Sequence, residues 1–226
     1  MEAIRRCVQG LSPKAEFAIV TIGAFGFSIL ASLLAAVFPK PTPPISENAL
    51  ELLLKYESII LLILGAFLYL RGWTLRRLGI RITAKDSLIG VGLAAAVYGA
   101  FLSMWWVAVY MGIRPSFAGS YQEVAAHGLN WLTVVATSIL NPFYEEIFLC
   151  GYIVTVAKTS SRVTAGINLS VAIRLMCHLY QGSIGVLEII PMGLVFTLWY
   201  ARTGRLWPVL VAHALFDATG LLHFLA

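Results

Sequence analysis

Residues 129–157 read LNWLTVVATSILNPFYEEIFLCGYIVTVA, an apolar run long enough to cross a bilayer that carries two adjacent glutamates, Glu145 and Glu146. A transmembrane helix needs about 20 apolar residues. A charged side chain at the centre of such a helix costs about 2.5–3.5 kcal/mol on insertion scales, so ionisable residues there usually face a cavity and serve a function. The pair therefore predicts a helical membrane protein with a polar site inside the bundle.

Two later apolar stretches carry ionisable residues with helical spacing. Arg174 and His178 lie in VAIRLMCHLYQG, and His213 and Asp217 lie in VAHALFDATG. Within each pair the residues are four apart and share one helix face. The helical rise of about 1.5 Å per residue places these groups and the glutamates at a similar depth. The three stretches are therefore predicted to form one shared site.

The composition agrees with a polytopic all-α bundle. The 226 residues are 59% hydrophobic and 12% charged, with a mean hydropathy of +0.84, and a soluble domain would carry about 25% charged residues. One integral-membrane domain over residues 1–226 is expected. The net charge of +5 needs no nucleic acid, because cytoplasmic loops of membrane proteins collect Lys and Arg. The three cysteines show no metal-type spacing.

Seven membrane spans are predicted, with the N-terminus in the cytoplasm. Segments assigned to the inner side hold 12 of the 16 Lys and Arg residues, whereas the outer loops hold Lys40 and Arg114. This asymmetry follows the positive-inside rule and gives an outer C-terminus. The predicted spans are residues 16–38, 49–70, 87–111, 129–157, 168–180, 184–201 and 206–224.

The polar motifs resemble a known family. The chain has two glutamates on one span, a His on the next, and on the last a His followed four residues later by Asp. This set resembles the motifs of the CAAX-protease and bacteriocin-processing (CPBP) family of glutamic intramembrane endopeptidases, in which the last position is Asn or Asp. The resemblance covers about Asn141 to Asp217 and implies a catalytic core over about residues 129–226. HLYQG, and GRLWP ahead of VAHALFD, resemble bacterial members. A multi-pass protein of the bacterial inner membrane is therefore expected.

The resemblance also implies a mechanism that needs no cofactor or metal. Glu145 would act with His178 to activate a water that attacks a scissile carbonyl. His213 and Asp217 would lie on the oxyanion side, and Glu146 would support the site. The partner would be a protein or peptide substrate, cleaved near its C-terminus or near the membrane edge.

The chain departs from the family pattern at three positions. Cys150 stands where the family has an Arg four residues after the second Glu, and Arg174 stands where an aromatic residue is usual. We therefore expect Arg174 to pair with Glu146 across the bundle in place of the missing Arg. Asp217 replaces the commoner Asn, and an ionised Asp accepts hydrogen bonds but does not donate them. We expect it to orient His213.

Other functions stay open at this point. Two His with Glu and Asp could hold zinc, although no HExxH motif is present. The change to Cys150 is also compatible with a catalytically inactive scaffold or immunity protein on the same fold. A proton-coupled transporter is disfavoured because the hydropathy shows no two-fold repeat. The two remaining histidines, His127 and His223, lack a charged neighbour one turn away and are not assigned to the site.

Overall fold

The structure, a computed structural model, describes residues 2–38, 46–113 and 129–222. Every regular element in these ranges is helical, which confirms the predicted all-α class. Lys40, Arg114, His127 and His223 lie outside the described residues. The elements are α1 (Glu2–Gln9), α2 (Pro13–Val37), α3 (Glu47–Leu70), α4 (Ala84–Tyr110), α5 (Trp131–Glu146), a π-helix (Ile147–Val154), α6 (Thr155–Thr159), α7 (Val163–Cys177), a 3₁₀ turn (Leu179–Gln181), α8 (Gly182–Thr203) and α9 (Trp207–Leu222).

Four of the helices begin at polar caps. The side chains of Ser12, Ser46, Thr83 and Asn130 each accept a hydrogen bond from a backbone N–H in the first turn, over 2.9–3.3 Å. Such a cap satisfies one of the N–H groups that the helix itself leaves unpaired. The starts of α2, α3, α4 and α5 are therefore fixed by local sequence.

Five helical segments are long and apolar enough to cross a membrane. The two other apolar helices, α7 and α9, have 15 and 16 residues and fall short of the usual spanning length. Several membrane-crossing helices are thus present, and the predicted count of seven stays a prediction. The five segments are Pro13–Val37, Glu47–Leu70, Ala84–Tyr110, Trp131–Thr159 and Leu179–Thr203.

The crossing helices divide into an outer and an inner set. In α2, α3 and α4 only 22%, 17% and 17% of the most apolar window is buried inside the protein, against 56% for Trp131–Thr159 and 50% for Leu179–Thr203. The exposed side chains of the outer set are largely Leu, Ile, Val and Phe, as expected for a surface that faces lipid. The inner set forms the centre of the bundle.

The central helix changes its winding beside the paired glutamates. Pro142 lies inside α5, where its ring prevents a backbone hydrogen bond. The helix is not broken there, and from Ile147 to Val154 it continues as a π-helix whose eight residues are all buried. Wide turns of this kind are rare and are often found at functional sites. The two glutamates therefore sit where the winding changes.

The fifth predicted span begins earlier than expected. The sequence placed its start at residue 168, but α7 begins at Val163. The first turns of α7 contain polar residues, so the apolar pattern did not include them in the span. These turns pack closely on the preceding helix. A Cβ added at Gly166 would lie only 2.3 Å from the Cβ of Ala157. The chain turns after this helix at Gly182, where φ is +73°, a conformation that glycine adopts without strain.

Basic segments gather at one end of the bundle. Arg71, which follows α3, donates to Glu16 on α2 over 2.5 Å, and Arg205, which precedes α9, pairs with Asp86 on α4. At the opposite end, Glu47 accepts a hydrogen bond from the backbone that starts α5. The segments that were assigned to one side of the membrane by charge therefore do lie together.

Candidate active site

A buried guanidinium bridges the two glutamates. The Nη1 of Arg174 lies 2.9 Å from Oε2 of Glu145, and its Nη2 lies 2.6 Å from Oε1 of Glu146. The Arg174 side chain is fully buried. The contact with Glu146 matches the expectation from the sequence, whereas the contact with Glu145 was not anticipated. The cation from α7 thus neutralises both acids, while Cys150 lies buried in the π-helix.

Adjacent residues on a helix point about 100° apart, and the two glutamates differ accordingly. Glu146 is completely buried, whereas 13% of the Glu145 side chain is exposed, toward a cavity. The flat fork of a guanidinium presents donors in several directions within its plane. One Arg can therefore hold both carboxylates while leaving Glu145 accessible to a reactant.

His213 lies behind the cavity wall, between two carboxylates. Its Nδ1 is 2.7 Å from Oε1 of Glu146, and its Nε2 is 3.5 Å from Oδ1 of Asp217, a long distance for a hydrogen bond. The other oxygen of Asp217 accepts a bond from Nδ2 of Asn141 over 2.8 Å. The imidazole is 4% exposed. It therefore contacts its neighbours far more than it contacts the cavity.

His178 is oriented by its own helix. It follows the last residue of α7, and its Nδ1 lies 2.8 Å from the backbone oxygen of Arg174. A carbonyl oxygen only accepts, so Nδ1 carries a proton and the neutral ring keeps a lone pair on Nε2. The ring stacks at 6.3 Å on Tyr180. This arrangement suits a general base.

Three of the predicted catalytic residues meet at one cavity of about 460 Å³. Glu145, His178 and Asp217 all line it, and they come from α5, the end of α7 and α9. Glu146, Arg174 and His213 form the layer behind. The remaining lining residues are Phe25, Phe27, Ser28, Ala31, Ser32, Leu50, Leu53, Tyr56, Glu57, Thr137, Asn141, Tyr144, Cys177, Tyr180, Gln181 and Leu221.

Two polar residues of this cavity were missed. Glu57 on α3 belongs to none of the motifs identified in the sequence, yet it is 3% exposed and lines the cavity. Glu51 and Lys55 pair with each other at the surface. Helical spacing separates Glu57 from this pair, since it lies about 200° around the helix from Lys55 and about 120° from Glu51. Asn141, where the resemblance to the family begins, was not assigned a role in the site.

The donor atoms of Glu145, Glu146 and His213 lie within 4.8 Å of one another, close enough to hold a metal ion. Two carboxylates and an imidazole are ligands that zinc accepts. The same carboxylates already bind Arg174, however, and a metal ion would compete with the guanidinium for them. A buried Arg that loses its partners is strongly unfavourable. The donor set thus fits zinc, but its present contacts favour the guanidinium.

Comparison with known families matches residues 127–219 to the type II CAAX prenyl endopeptidase Rce1-like family. Searches of curated proteins and of solved structures found no match to the chain. The matched segment includes α5, the π-helix, α7, α8 and most of α9, and so every catalytic residue predicted from the sequence. The resemblance drawn from the motifs is therefore confirmed for this segment: residues 127–219, which carry the site, match the Rce1-like CAAX endopeptidase family.

Proposed function

We propose that this protein is an intramembrane endopeptidase that uses an activated water. The observation that carries the proposal is that Glu145 and His178 line one cavity, with the Nδ1 of His178 fixed by a backbone carbonyl. A carboxylate and an imidazole with a free lone pair are the groups that general-base catalysis requires. The family match supports peptide hydrolysis as the reaction.

In the proposed reaction a water bound between Glu145 and His178 loses a proton to one of them and attacks the scissile carbonyl. The proton then passes to the leaving amine as the peptide bond breaks. Arg174 holds Glu145 in place, because its guanidinium contacts both glutamates. No cofactor takes part in any of these steps.

The oxyanion is assigned to the side of His213 and Asp217, as the family resemblance implies. Because Nδ1 of His213 donates to Glu146, the other ring nitrogen is the atom left for this purpose. Asp217 lies 3.5 Å from that nitrogen and is itself held by Asn141. Asp217 is thus proposed to orient the imidazole, which donates from Nε2 to the developing charge when both ring nitrogens carry a proton.

Hydrolysis by the purified chain in lipid nanodiscs tests the proposal. Membrane fractions of cells that express the wild type or Glu145→Gln are compared by proteomics, and a protein that stays uncut only in the variant is then incubated with both purified forms. We expect cleavage by the wild type alone. Equal cleavage by the variant, or no accumulated protein and no hydrolysis by the wild type, would refute the proposal. The latter result would favour an inactive scaffold.

A zinc peptidase is the second candidate, and the close donor atoms of Glu145, Glu146 and His213 favour it. It makes a different prediction for the same preparation. Activity would fall on dialysis against a chelator and return with zinc, and the purified protein would contain about one metal ion per chain. For the water-activating mechanism without metal we expect activity that the chelator leaves intact.

We also propose one integral-membrane domain with seven crossings, a cytoplasmic N-terminus and a catalytic core over about residues 129–226, in the bacterial inner membrane. The gathering of basic segments at one end supports this orientation. Single cysteines introduced at Lys14 and at Lys40, on a background without native cysteine, test it. A membrane-impermeant reagent added to intact spheroplasts should label the second position and leave the first unlabelled; the reverse pattern would overturn the topology.

A further inference from the structure

Three carboxylates from three helices line the cavity, and they do not have equal partners. Glu145 is bound to Arg174, and Asp217 accepts a hydrogen bond from Asn141. In contrast, the buried Oε2 of Glu57 has no hydrogen-bond partner among the described residues. A carboxylate oxygen that is buried without a partner is strongly unfavourable. Glu57 therefore has an unused capacity to bind a donor, and it lies in the cavity wall.

The cavity as a whole lacks a matching positive charge. No Lys or Arg is found among its described lining residues. Like charges that share a site of low dielectric repel one another. Arg174 lies behind the wall and is already shared by Glu145 and Glu146. A cation that enters from outside would thus find acceptors that the protein itself leaves open.

The walls indicate what kind of cation fits. Besides the acids, the lining includes the apolar side chains of Phe25, Leu50 and Leu53, and the ring of Tyr56 beside Glu57. A hydrated metal ion gains nothing from such walls, whereas Lys and Arg combine an apolar stem with a charged head. Aromatic rings add a favourable contact for the head group. The volume is in the range of ordinary ligand pockets.

We propose that Glu57 binds a Lys or Arg side chain of the substrate and thereby selects peptides with a basic residue near the scissile bond. The inference rests on the proposed function in that it takes the ligand to be a peptide. Glu57 is assigned a binding role, distinct from the water-activating role of Glu145. Its helix, α3, precedes the segment matched to the family. The specificity would thus come from the outer helices.

The test measures binding without hydrolysis. Purified full-length protein in nanodiscs is titrated with the fluorescently labelled peptide amide Leu-Lys-Leu-Leu and with the same peptide in which norleucine replaces Lys, and binding to empty nanodiscs is subtracted. We expect the wild type to bind the lysine peptide about tenfold more tightly or better, as for a hydrogen bond to a charged group. Glu57→Gln should bring the ratio of affinities close to one.

Glu51→Gln is the matched control, because Glu51 lies on the same helix and its removal changes the net charge equally, but its carboxylate pairs with Lys55 at the surface. This variant should keep the wild-type ratio. Glu57→Asp, which retains the charge, should keep part of the preference. Equal affinities in the wild type would overturn the inference, even if Glu57→Gln does not fold. So would a preference that persists in Glu57→Gln.

A metal ion is the competing occupant of the cavity, and one further measurement distinguishes it from a basic side chain. Magnesium or zinc chloride added at millimolar concentration should leave the lysine ratio of the wild type nearly unchanged, and displacement of the peptide by the metal alone would overturn the proposal. Because no arm depends on cleavage, the two hypotheses fail separately. A protein that binds the lysine peptide selectively but hydrolyses nothing refutes the peptidase, and an active peptidase without this selectivity refutes the role of Glu57.

Discussion

The charged groups on the two sides of Glu145 differ in how they are satisfied. Behind it, Glu146, Arg174 and His213 are almost fully buried. Glu146 contacts Arg174 over 2.6 Å and His213 over 2.7 Å. In front of it, Glu57 and Asp217 face a cavity without a Lys or Arg among its described lining residues. Each side chain of the rear cluster is paired with another of the same cluster, whereas the front is complementary to a ligand. Changes at the rear should therefore affect folding, and changes at the front should affect catalysis or binding.

The largest effect is expected at the centre of the rear cluster. Arg174→Ala leaves two carboxylates without their cation, and removal of one member of a buried ion pair costs about 3–5 kcal/mol. We expect little folded protein, seen as aggregation on size-exclusion chromatography and a lowered unfolding temperature. Arg162→Ala, at the exposed start of the same helix, is the control and should fold normally.

A second-site change sharpens this prediction. In the double variant Arg174→Ala with Cys150→Arg, the new guanidinium lies one turn after Glu146, where the family carries its Arg. We expect part of the stability to return. A stable Arg174→Ala variant would show that the ion pair does not hold the bundle together, and a double variant as unstable as Arg174→Ala alone would show that a guanidinium at residue 150 cannot replace it.

The second-largest effect is expected at Glu145, on the side of the site that faces the cavity. Glu145→Gln keeps the shape of the side chain and a hydrogen-bond acceptor for Arg174, but it removes one of the two groups that activate the water. Peptidase activity should fall about 100-fold or more, while the unfolding temperature changes by only a few degrees. Glu146→Gln should show the opposite balance, with a clear loss of stability, because Glu146 accepts from both Arg174 and His213. Identical effects of the two variants would remove the distinction between rear and front.

Much of this contrast was accessible from the sequence. The length and apolar composition of the stretches predicted the all-α bundle, and the departures from the family pattern at Cys150 and Arg174 predicted the contact of Arg174 with Glu146. Those inferences depend on burial cost and on charge balance, which hold whatever the detailed packing is. The front was predicted less completely. Whether Glu57 faces lipid, an interface or a cavity depends on the rotation of α3 against α5, which no local signal encodes.

The placement of His213 shows the same limit. Its spacing to Asp217 predicted a shared face, and the structure agrees, but the stronger contact is with Glu146 on another helix. Helix-to-helix contacts of this kind depend on the widened turns after Glu146 and on the early start of α7. Neither the π-helix nor that start has a reliable sequence signature. The site residues were therefore easier to predict than their arrangement in two layers.

A smaller effect should arise at the contact that holds Asp217. Asn141→Leu removes the donor to Asp217 while keeping a side chain of similar size. We expect kcat to fall about tenfold, with KM nearly unchanged, because the oriented imidazole acts in the transition state. Asp217→Asn tests the same link: an orienting role predicts reduced activity in both Asp217→Asn and Asp217→Ala. Full activity in Asp217→Asn with loss in Asp217→Ala would instead favour an amide donor to the oxyanion.

The smallest effect concerns how the outer helices position the front. A Cβ at Gly90 of α4 would lie 2.6 Å from the Cβ of Val211 on α9, whereas one at Gly92 meets no atom within 4 Å. Gly90→Ala should therefore push α9 away and cost about 1–3 kcal/mol by overpacking. Gly92→Ala should be neutral or slightly stabilising, because Ala favours the helix over Gly. Unfolding in mixed micelles on titration with sodium dodecyl sulfate gives both values. Since α9 carries Asp217, a loss of activity in Gly90→Ala beyond the loss of folded protein would show that α4 sets the geometry of the cavity, and unchanged activity per folded molecule would confine its role to stability.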